Sequence, residues 1–229
     1  MLIGNDSLRR LHSEAPMKRR DFSAALACGA ALSPAVTQAQ GSPVEGRNYV
    51  RLNQPVTVNA PADKIEVVDF FWYGCPHCNA FEPELDAWAK RLPDHVVFTR
   101  VPVAFRAEPF TTHQRIFYAL EALGLVETLH RKVFSAVHVN RLPLDKLPDI
   151  AAFMTKQGVD AGKFTEAFNS FTTQSKLKRA NALVDGYKID GVPAIGVQGR
   201  FYTSGSMAGG NDKALLVADF LVQKLRKTS

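Results

Sequence analysis

The sequence predicts an α/β fold with an all-helical segment inserted between its strands. Two apolar runs rich in β-branched and aromatic residues, at 65–73 and 96–101, are typical of strands buried on both faces. Strand-like patterns return near the C-terminus, at 191–202. The long interval between these two regions carries apolar residues at helical spacing, which predicts the inserted segment.

The N-terminal region of the fold contains three predicted strands and one helix. In chain order we predict a short strand at 49–52, a buried strand at 65–73, a helix at 75–92 and a second buried strand at 96–101. Gly74 separates the buried strand from the helix, and Pro102 ends the last strand. Because proline lacks a backbone N–H and its ring clashes with the preceding turn, Pro83 should kink the helix.

The inserted segment and the closing region follow. Helical spacing recurs at 116–123, 129–137, 147–154, 164–168 and 177–187. Taken singly, each pattern indicates an ordinary packed helix, and together they predict a helical subdomain between the second and third core strands. The run after Gly191 predicts a hairpin with its turn at Gln198–Gly199, and residues 214–225 predict a closing helix.

A strand, a Cys-x-x-Cys pair at the start of a helix and a second strand together are typical of the opening of a thioredoxin-like fold. The later hairpin and helix supply its second half. We therefore predict a thioredoxin-like fold with an inserted all-helical subdomain. The expected division is an N-terminal extension and export signal at 1–39, a first thioredoxin-like segment at 40–110, the helical insert at 111–188 and a second thioredoxin-like segment at 189–229.

The N-terminus has the pattern of an export signal. Basic residues at 18–20 precede a short apolar stretch at 22–32, and small residues then predict cleavage near Ala39. The arginine pair also resembles a twin-arginine signal, so the Sec and twin-arginine routes both stay open, as does a start at Met1 or Met17. A disordered cytosolic tail is the alternative, and the residues before Cys28 fit a lipoprotein signal poorly.

Composition and charge narrow the function classes. The net charge is +6, and removal of residues 1–39 takes away five Lys/Arg and three Asp/Glu and leaves +4. No block of basic residues stands out in the remainder, which argues against nucleic-acid binding. After cleavage only Cys75 and Cys78 remain of the three cysteines. One close pair cannot build a disulfide framework, so it is expected to be the reactive centre of the protein.

The residues around this pair favour thiol chemistry. Cys75 should begin a helix, where unpaired N–H groups and the helix dipole stabilise a thiolate. Pro76 suits the first turn, and His77 can add a hydrogen bond or positive charge. Cys78, one turn later, should face inward and resolve a mixed disulfide formed at Cys75. An inert bridge and a metal site are the alternatives, and the latter lacks a second cysteine pair.

On these residues the chain resembles the DsbA family of periplasmic thiol:disulfide oxidoreductases. The resemblance spans residues 44–227 and includes the insert. Its motifs are Phe70-Phe71, Cys75-Pro76-His77-Cys78, Phe81-Glu82 and Gly191-Val192-Pro193-Ala194. Trp72 and Tyr73 depart from the family pattern in a way that threatens no catalytic residue.

The resemblance also implies a substrate site and a buried acid. Pro193 is expected to follow a cis peptide bond, and Val192 and Pro193 to hold a substrate strand beside the cysteines; an ordinary turn proline is the alternative. Asp69 and Arg100 match positions where the family has Glu and Lys. Asp69 either handles a proton or belongs to a plain buried ion pair. The other histidines, His95, His113, His130 and His138, show no ligand spacing and are interpreted as surface or packing residues.

The expected function is oxidation of cysteine pairs in exported proteins, by donation of the Cys75–Cys78 disulfide. The resemblance implies a monomer with no cofactor besides that disulfide, and a quinone-coupled membrane partner of the DsbB type. A stabilised thiolate makes the disulfide form a strong oxidant, and the DsbA family is the standard example of this. A thioredoxin-like reductant and a non-enzymatic peptide-binding chaperone remain alternatives, and too few residues precede the core for an isomerase's dimerisation domain.

Overall fold

A mixed five-stranded sheet lies at the centre of the structure, a computed structural model that describes residues 41–227. The strands are β1 (Val50–Arg51), β2 (Ile65–Phe71), β3 (Val96–Pro102), β4 (Ala194–Val197) and β5 (Phe201–Ser204). They lie in the order β1-β5-β4-β2-β3. The α/β, thioredoxin-like prediction is therefore confirmed. The predicted export signal, its cleavage at Ala39 and Cys28 lie outside the described residues.

Strand β2 lies in the interior of the sheet. It pairs in parallel with β3 and antiparallel with β4. Val67 packs with one apolar cluster, and its neighbours Val68 and Phe70 pack with another. Since successive side chains of a strand point to opposite faces, both faces of the sheet are covered. This agrees with the near-continuous apolar run in the sequence.

Eight helices accompany the sheet in residues 41–227. They are α1 (Pro76–Ala89), α2 (Phe110–Ala122), α3 (Val126–His138), α4 (Leu147–Lys156), α5 (Ala161–Asn169), α6 (Phe171–Tyr187), α7 (Gly205–Ala208) and α8 (Asn211–Arg226). Helix α1 runs without interruption through Pro83, whose side chain is exposed, and it ends three residues earlier than predicted. The short helix α7 has no counterpart in the prediction. No helix in this region of the chain is long and apolar enough to cross a membrane.

The helices α2 to α6 follow β3 and precede β4. Their apolar faces join Val68 and Phe70 of β2 in a single cluster that also contains Cys75 and Cys78. The insert therefore shares one apolar core with the cysteine pair. We propose residues 111–188 as the inserted subdomain, between thioredoxin-like segments at 40–110 and 189–229.

The predicted hairpin between β4 and β5 is confirmed, with its turn at Gln198–Gly199. Both residues have positive φ, 51° and 59°, and they are the two central residues of a turn that the Arg200 N–H closes on the Val197 carbonyl at 3.0 Å. A Cβ on Gly199 would also lie 2.0 Å from the Val56 carbonyl oxygen. Glycine is therefore needed at position 199 for two reasons: its positive φ, and the close approach of the loop that contains Val56.

Candidate active site

Cys75 lies at the N-terminus of α1, where it is the N-cap residue. Its backbone is extended, and its Sγ accepts a hydrogen bond from the Cys78 N–H at 3.4 Å. Pro76 occupies the first turn, as predicted, because that position needs no N–H donor. Both cysteines are free thiols in this structure.

The two thiols have opposite acidities. Hydrogen bonding from the Cys78 thiol, from the backbone of Cys78 and His77, and the electrostatic effect of His77 lower the pKa of Cys75 to about 6, against the opposing effect of burial. Burial, followed by the neighbouring Cys75, raises the pKa of Cys78 far above its usual range. One sulfur is therefore prepared as a thiolate and the other as a thiol.

The surface beside Cys75 is a groove of about 550 Å³, lined among others by His77, Val192, Pro193, Tyr202 and Met207. The Val192 carbonyl oxygen lies 3.5 Å from Cys75 Sγ. The predicted cis bond between Val192 and Pro193 is present. The loop before β4 thus lies next to the reactive sulfur, although 117 positions separate it from Cys75 in the sequence.

Asp69 lies on β2 and is 1% exposed. Its position in the ladder is directly beside Arg100 of β3. The Arg100 guanidinium, however, pairs with Glu82 and Asp86 of α1, and neither Asp69 oxygen has a hydrogen-bond partner among the described residues. The simple Asp69–Arg100 ion pair is therefore not formed. Burial, and then the charge of Glu82, raises the pKa of Asp69 well above its usual range.

A set of polar contacts that was not predicted from sequence connects α3 to Tyr73, just before Cys75, and to Glu82 of α1. The Tyr73 hydroxyl lies 2.8 Å from His130 Nδ1, and the Tyr73 carbonyl accepts from His138 Nε2 at 2.8 Å. His130 Nε2 also lies 3.2 Å from Glu82 Oε1. His130 is a packing residue, as interpreted, but its polar contacts were not foreseen. Within residues 41–227, no three His, Cys, Asp or Glu side chains are grouped as metal ligands.

The comparison with protein-family models decides the relationship. A model described as "DSBA-like thioredoxin domain" matches residues 66–222, which is more than half of the chain and includes the insert. The chain belongs to the DsbA family.

Individual members of the DsbA family agree with this assignment over nearly their whole length. The chain is 40% identical over 185 residues to the thiol:disulfide interchange protein DsbA of Burkholderia cepacia, covering 81% of this chain and 87% of that one. It is 43% identical over 209 residues to the protein of the same name from Bordetella parapertussis, covering 90% and 95%. The crystal structure of Pseudomonas aeruginosa DsbA matches with a TM-score of 0.78 at 38% identity, covering 81% and 96%.

This member of the DsbA family is a thiol:disulfide oxidoreductase, and its two thiols should react in a fixed order. At pH 6 to 6.5 a large share of Cys75 is thiolate, since its pKa is about 6, whereas Cys78 stays protonated. We expect a limiting amount of iodoacetamide to label Cys75 first in the reduced protein, as peptide mapping can measure. Faster labelling of Cys78, or labelling of both thiols only above about pH 8, would show that the roles assigned to Cys75 and Cys78 are wrong.

Proposed function

We propose that this protein oxidises cysteine pairs in exported proteins by donating its Cys75–Cys78 disulfide. The supporting observation is the contrast between the two thiols: the Cys75 pKa is lowered to about 6 and the Cys78 pKa is raised. A stabilised thiolate favours the reduced protein, and the disulfide form is then the oxidant. In a thioredoxin-like reductant, by contrast, the disulfide form would be the favoured one.

The transfer proceeds through two exchanges. A substrate thiolate attacks Cys75 Sγ of the disulfide, forms a mixed disulfide and expels the Cys78 sulfur, which takes up a proton. A second substrate thiolate then attacks the substrate sulfur of the mixed disulfide and expels Cys75 as a thiolate. The substrate loses two electrons and two protons and the protein gains the electrons. At neutral pH one proton remains on Cys78 and the other goes to solvent.

Asp69 is proposed as the proton donor and acceptor for Cys78. The Cys78 sulfur leaves inside the protein, where a thiolate is costly, so a nearby neutral acid lowers the barrier. Asp69 affects the acidity of Cys78 electrostatically, and burial favours its protonated form. Its lack of an ion-pair partner among the described residues supports this role over a purely structural one. Arg100 acts indirectly, since its charge opposes the rise in the Asp69 pKa.

Substrate docking is proposed at the Val192–Pro193 loop. The groove beside Cys75 exposes His77 together with this loop, and an extended peptide could lie along the loop with its cysteine against Cys75. Main-chain pairing of this kind tolerates many sequences. It therefore suits an enzyme whose substrates are diverse unfolded chains.

The cellular setting follows from the proposed chemistry. Disulfides persist in oxidising compartments, so we place the mature protein, a monomer, in the periplasm after Sec or twin-arginine export. Its substrates are folding proteins with cysteine pairs, and it needs no cofactor besides its own disulfide. Because each turnover leaves it reduced, a membrane quinone-coupled partner of the DsbB type is proposed to reoxidise it.

Thermal melts of the two redox forms test the direction of transfer. The Cys75 pKa of about 6 lies below the value of about 8.5 for an unfolded thiol. The thiolate therefore stabilises the reduced fold fully above about pH 8.5, and the gain is lost as the pH falls through 6. We expect the reduced form to melt higher than the disulfide form at pH 7, and the difference to shrink below pH 6.

A redox titration against glutathione gives the same answer independently, and should leave the protein mostly reduced in a balanced glutathione buffer. A disulfide form that melts higher at pH 7, together with a protein that stays oxidised in the buffer, would support the reductant instead.

A further inference from the structure

A buried polar connection runs from the inserted helices to the active site. His130 of α3 is 3% exposed and lies between Tyr73, two positions before Cys75, and Glu82 of α1. Aromatic rings of Phe71, Phe117 and Phe134 surround the imidazole. A histidine held so firmly among apolar rings has its two nitrogens fixed toward these two polar partners.

The two ring nitrogens of His130 face different partners. Burial, and then the charge of Glu82, raises the pKa of Tyr73 well above its usual range, so the phenol keeps its proton while it shares a hydrogen bond with His130 Nδ1 at 2.8 Å. His130 Nε2 faces Glu82 Oε1 at 3.2 Å. The geometry of this contact is not that of a hydrogen bond, so it acts through electrostatic attraction.

Glu82 is a carboxylate in a site that should disfavour one. It is 1% exposed, and burial alone would raise its pKa. The effects of His130, Arg100 and Arg131 outweigh burial and leave the Glu82 pKa lowered. The Arg100 guanidinium lies 3.4 Å from a Glu82 oxygen and also pairs with Asp86. His130 Nε2 lies 3.2 Å from the other Glu82 oxygen and is therefore the closer polar neighbour.

The charge on Glu82 acts in turn on Asp69. The two carboxyl groups are close enough to interact, and a negative Glu82 disfavours a second negative charge on Asp69. If Glu82 became neutral, Asp69 would ionise more easily. The groups that act on this pair are His130 and Arg131 of α3, Arg100 of β3 and Asp86 of α1.

We propose that His130 is a positioning residue for proton transfer at the cysteine pair. From the inserted helices it holds Glu82 as a carboxylate, and the charged Glu82 keeps the proton on Asp69, where Cys78 can take it up. The inference rests on the proposed role of Asp69. It gives the helical insert a role in the chemistry in addition to packing.

The test is the pH profile of substrate oxidation. Single-turnover oxidation of a dithiol peptide by the disulfide form is measured from pH 5 to 10, with rates expressed per substrate thiolate. The rate should fall on the alkaline side as Asp69 loses its proton. The Asp69→Asn variant should lose this limb and react roughly a hundredfold or more slower at neutral pH, since proton transfer contributes about a hundredfold to ten-thousandfold.

The His130→Leu and Glu82→Gln variants should each move the alkaline limb to lower pH. The double variant should move it no further than Glu82→Gln alone, because His130 acts through Glu82. His138→Gln is the matched control: it lies on the same helix and can still donate to the Tyr73 carbonyl, so its limb should stay in place. The infrared C=O band of protonated Asp69 should disappear at correspondingly lower pH in the two shifted variants.

Each outcome decides a separate claim. If the alkaline limb persists in Asp69→Asn, the proposed role of Asp69 is wrong, and so is the inference about His130. The proposed oxidase function is not affected by this result, because the glutathione titration tests it separately. A limb lost in Asp69→Asn yet unmoved in folded His130→Leu overturns the inference alone. If His130→Leu fails to fold, Glu82→Gln decides, and an unmoved limb there also overturns the inference.

Discussion

Replacing Cys75 with serine is expected to abolish oxidation of substrate thiols. The hydroxyl of serine cannot form the disulfide with Cys78 or accept a substrate thiolate, so no alternative route remains among residues 41–227, whose only cysteines are this pair. The loss should be complete in an assay that follows the refolding of a reduced, disulfide-containing protein. Circular dichroism should show an intact fold, because serine at the N-cap can still accept the Cys78 N–H.

The Cys78→Ser variant is the matched control for this experiment. It retains the reactive Cys75 but lacks the resolving thiol. Offered a substrate that already holds a disulfide, its Cys75 thiolate attacks one substrate sulfur and expels the other as a thiolate, and the resulting mixed disulfide should persist and be visible on a non-reducing gel. If Cys75→Ser kept its activity, the protein would act as a non-enzymatic chaperone, and the C-P-H-C pair would not be its reactive centre.

Replacing Pro193 with threonine is expected to have the second-largest effect. Pro193 follows the Val192 carbonyl that lies 3.5 Å from Cys75 Sγ, and both residues line the groove. A side chain of different shape here changes how the substrate strand lies across the mixed disulfide and leaves the cysteines unaltered. We expect slower release of substrate, with mixed disulfides at Cys75 accumulating several-fold over the unmodified protein.

Pro61→Thr is a suitable control, because Pro61 is an exposed loop proline outside the groove. It should release substrate at the normal rate. Normal release from Pro193→Thr, together with unchanged KM for a peptide dithiol, would argue that the loop does not hold substrate and that docking lies elsewhere on the protein.

The strands and helices could be predicted because their signals are local. The apolar run before Gly74 and the helical spacing after it depend only on neighbouring residues, and both elements lie where expected. The ends differ from the prediction: β2 stops at Phe71 and α1 at Ala89, because element ends fray and the local signal fades there. The brief helix α7 was missed because four residues are too few to show a period.

The cysteine pair and the Val192–Pro193 loop beside it could also be picked out from sequence, because their motifs are short and specific. The buried polar contacts could not. Tyr73 and His130 are 57 positions apart, and no spacing rule connects a strand end to a helix of the insert. Asp69 and Arg100 lie side by side on paired strands, but the long arginine side chain can reach several carboxylates and contacts those of α1 instead. Glu82 was visible within the motif, yet its partner was not.

The distance along the chain between Cys75 and Val192 has a consequence for biogenesis. A polypeptide that emerges N-terminus first exposes its reactive cysteines well before the loop that completes the groove, with all five helices of the insert still to come. Until the last strands join β2, a nascent chain would carry two thiols but no place to hold a client. The groove beside Cys75 is therefore complete only after nearly all of residues 41–227 has been made.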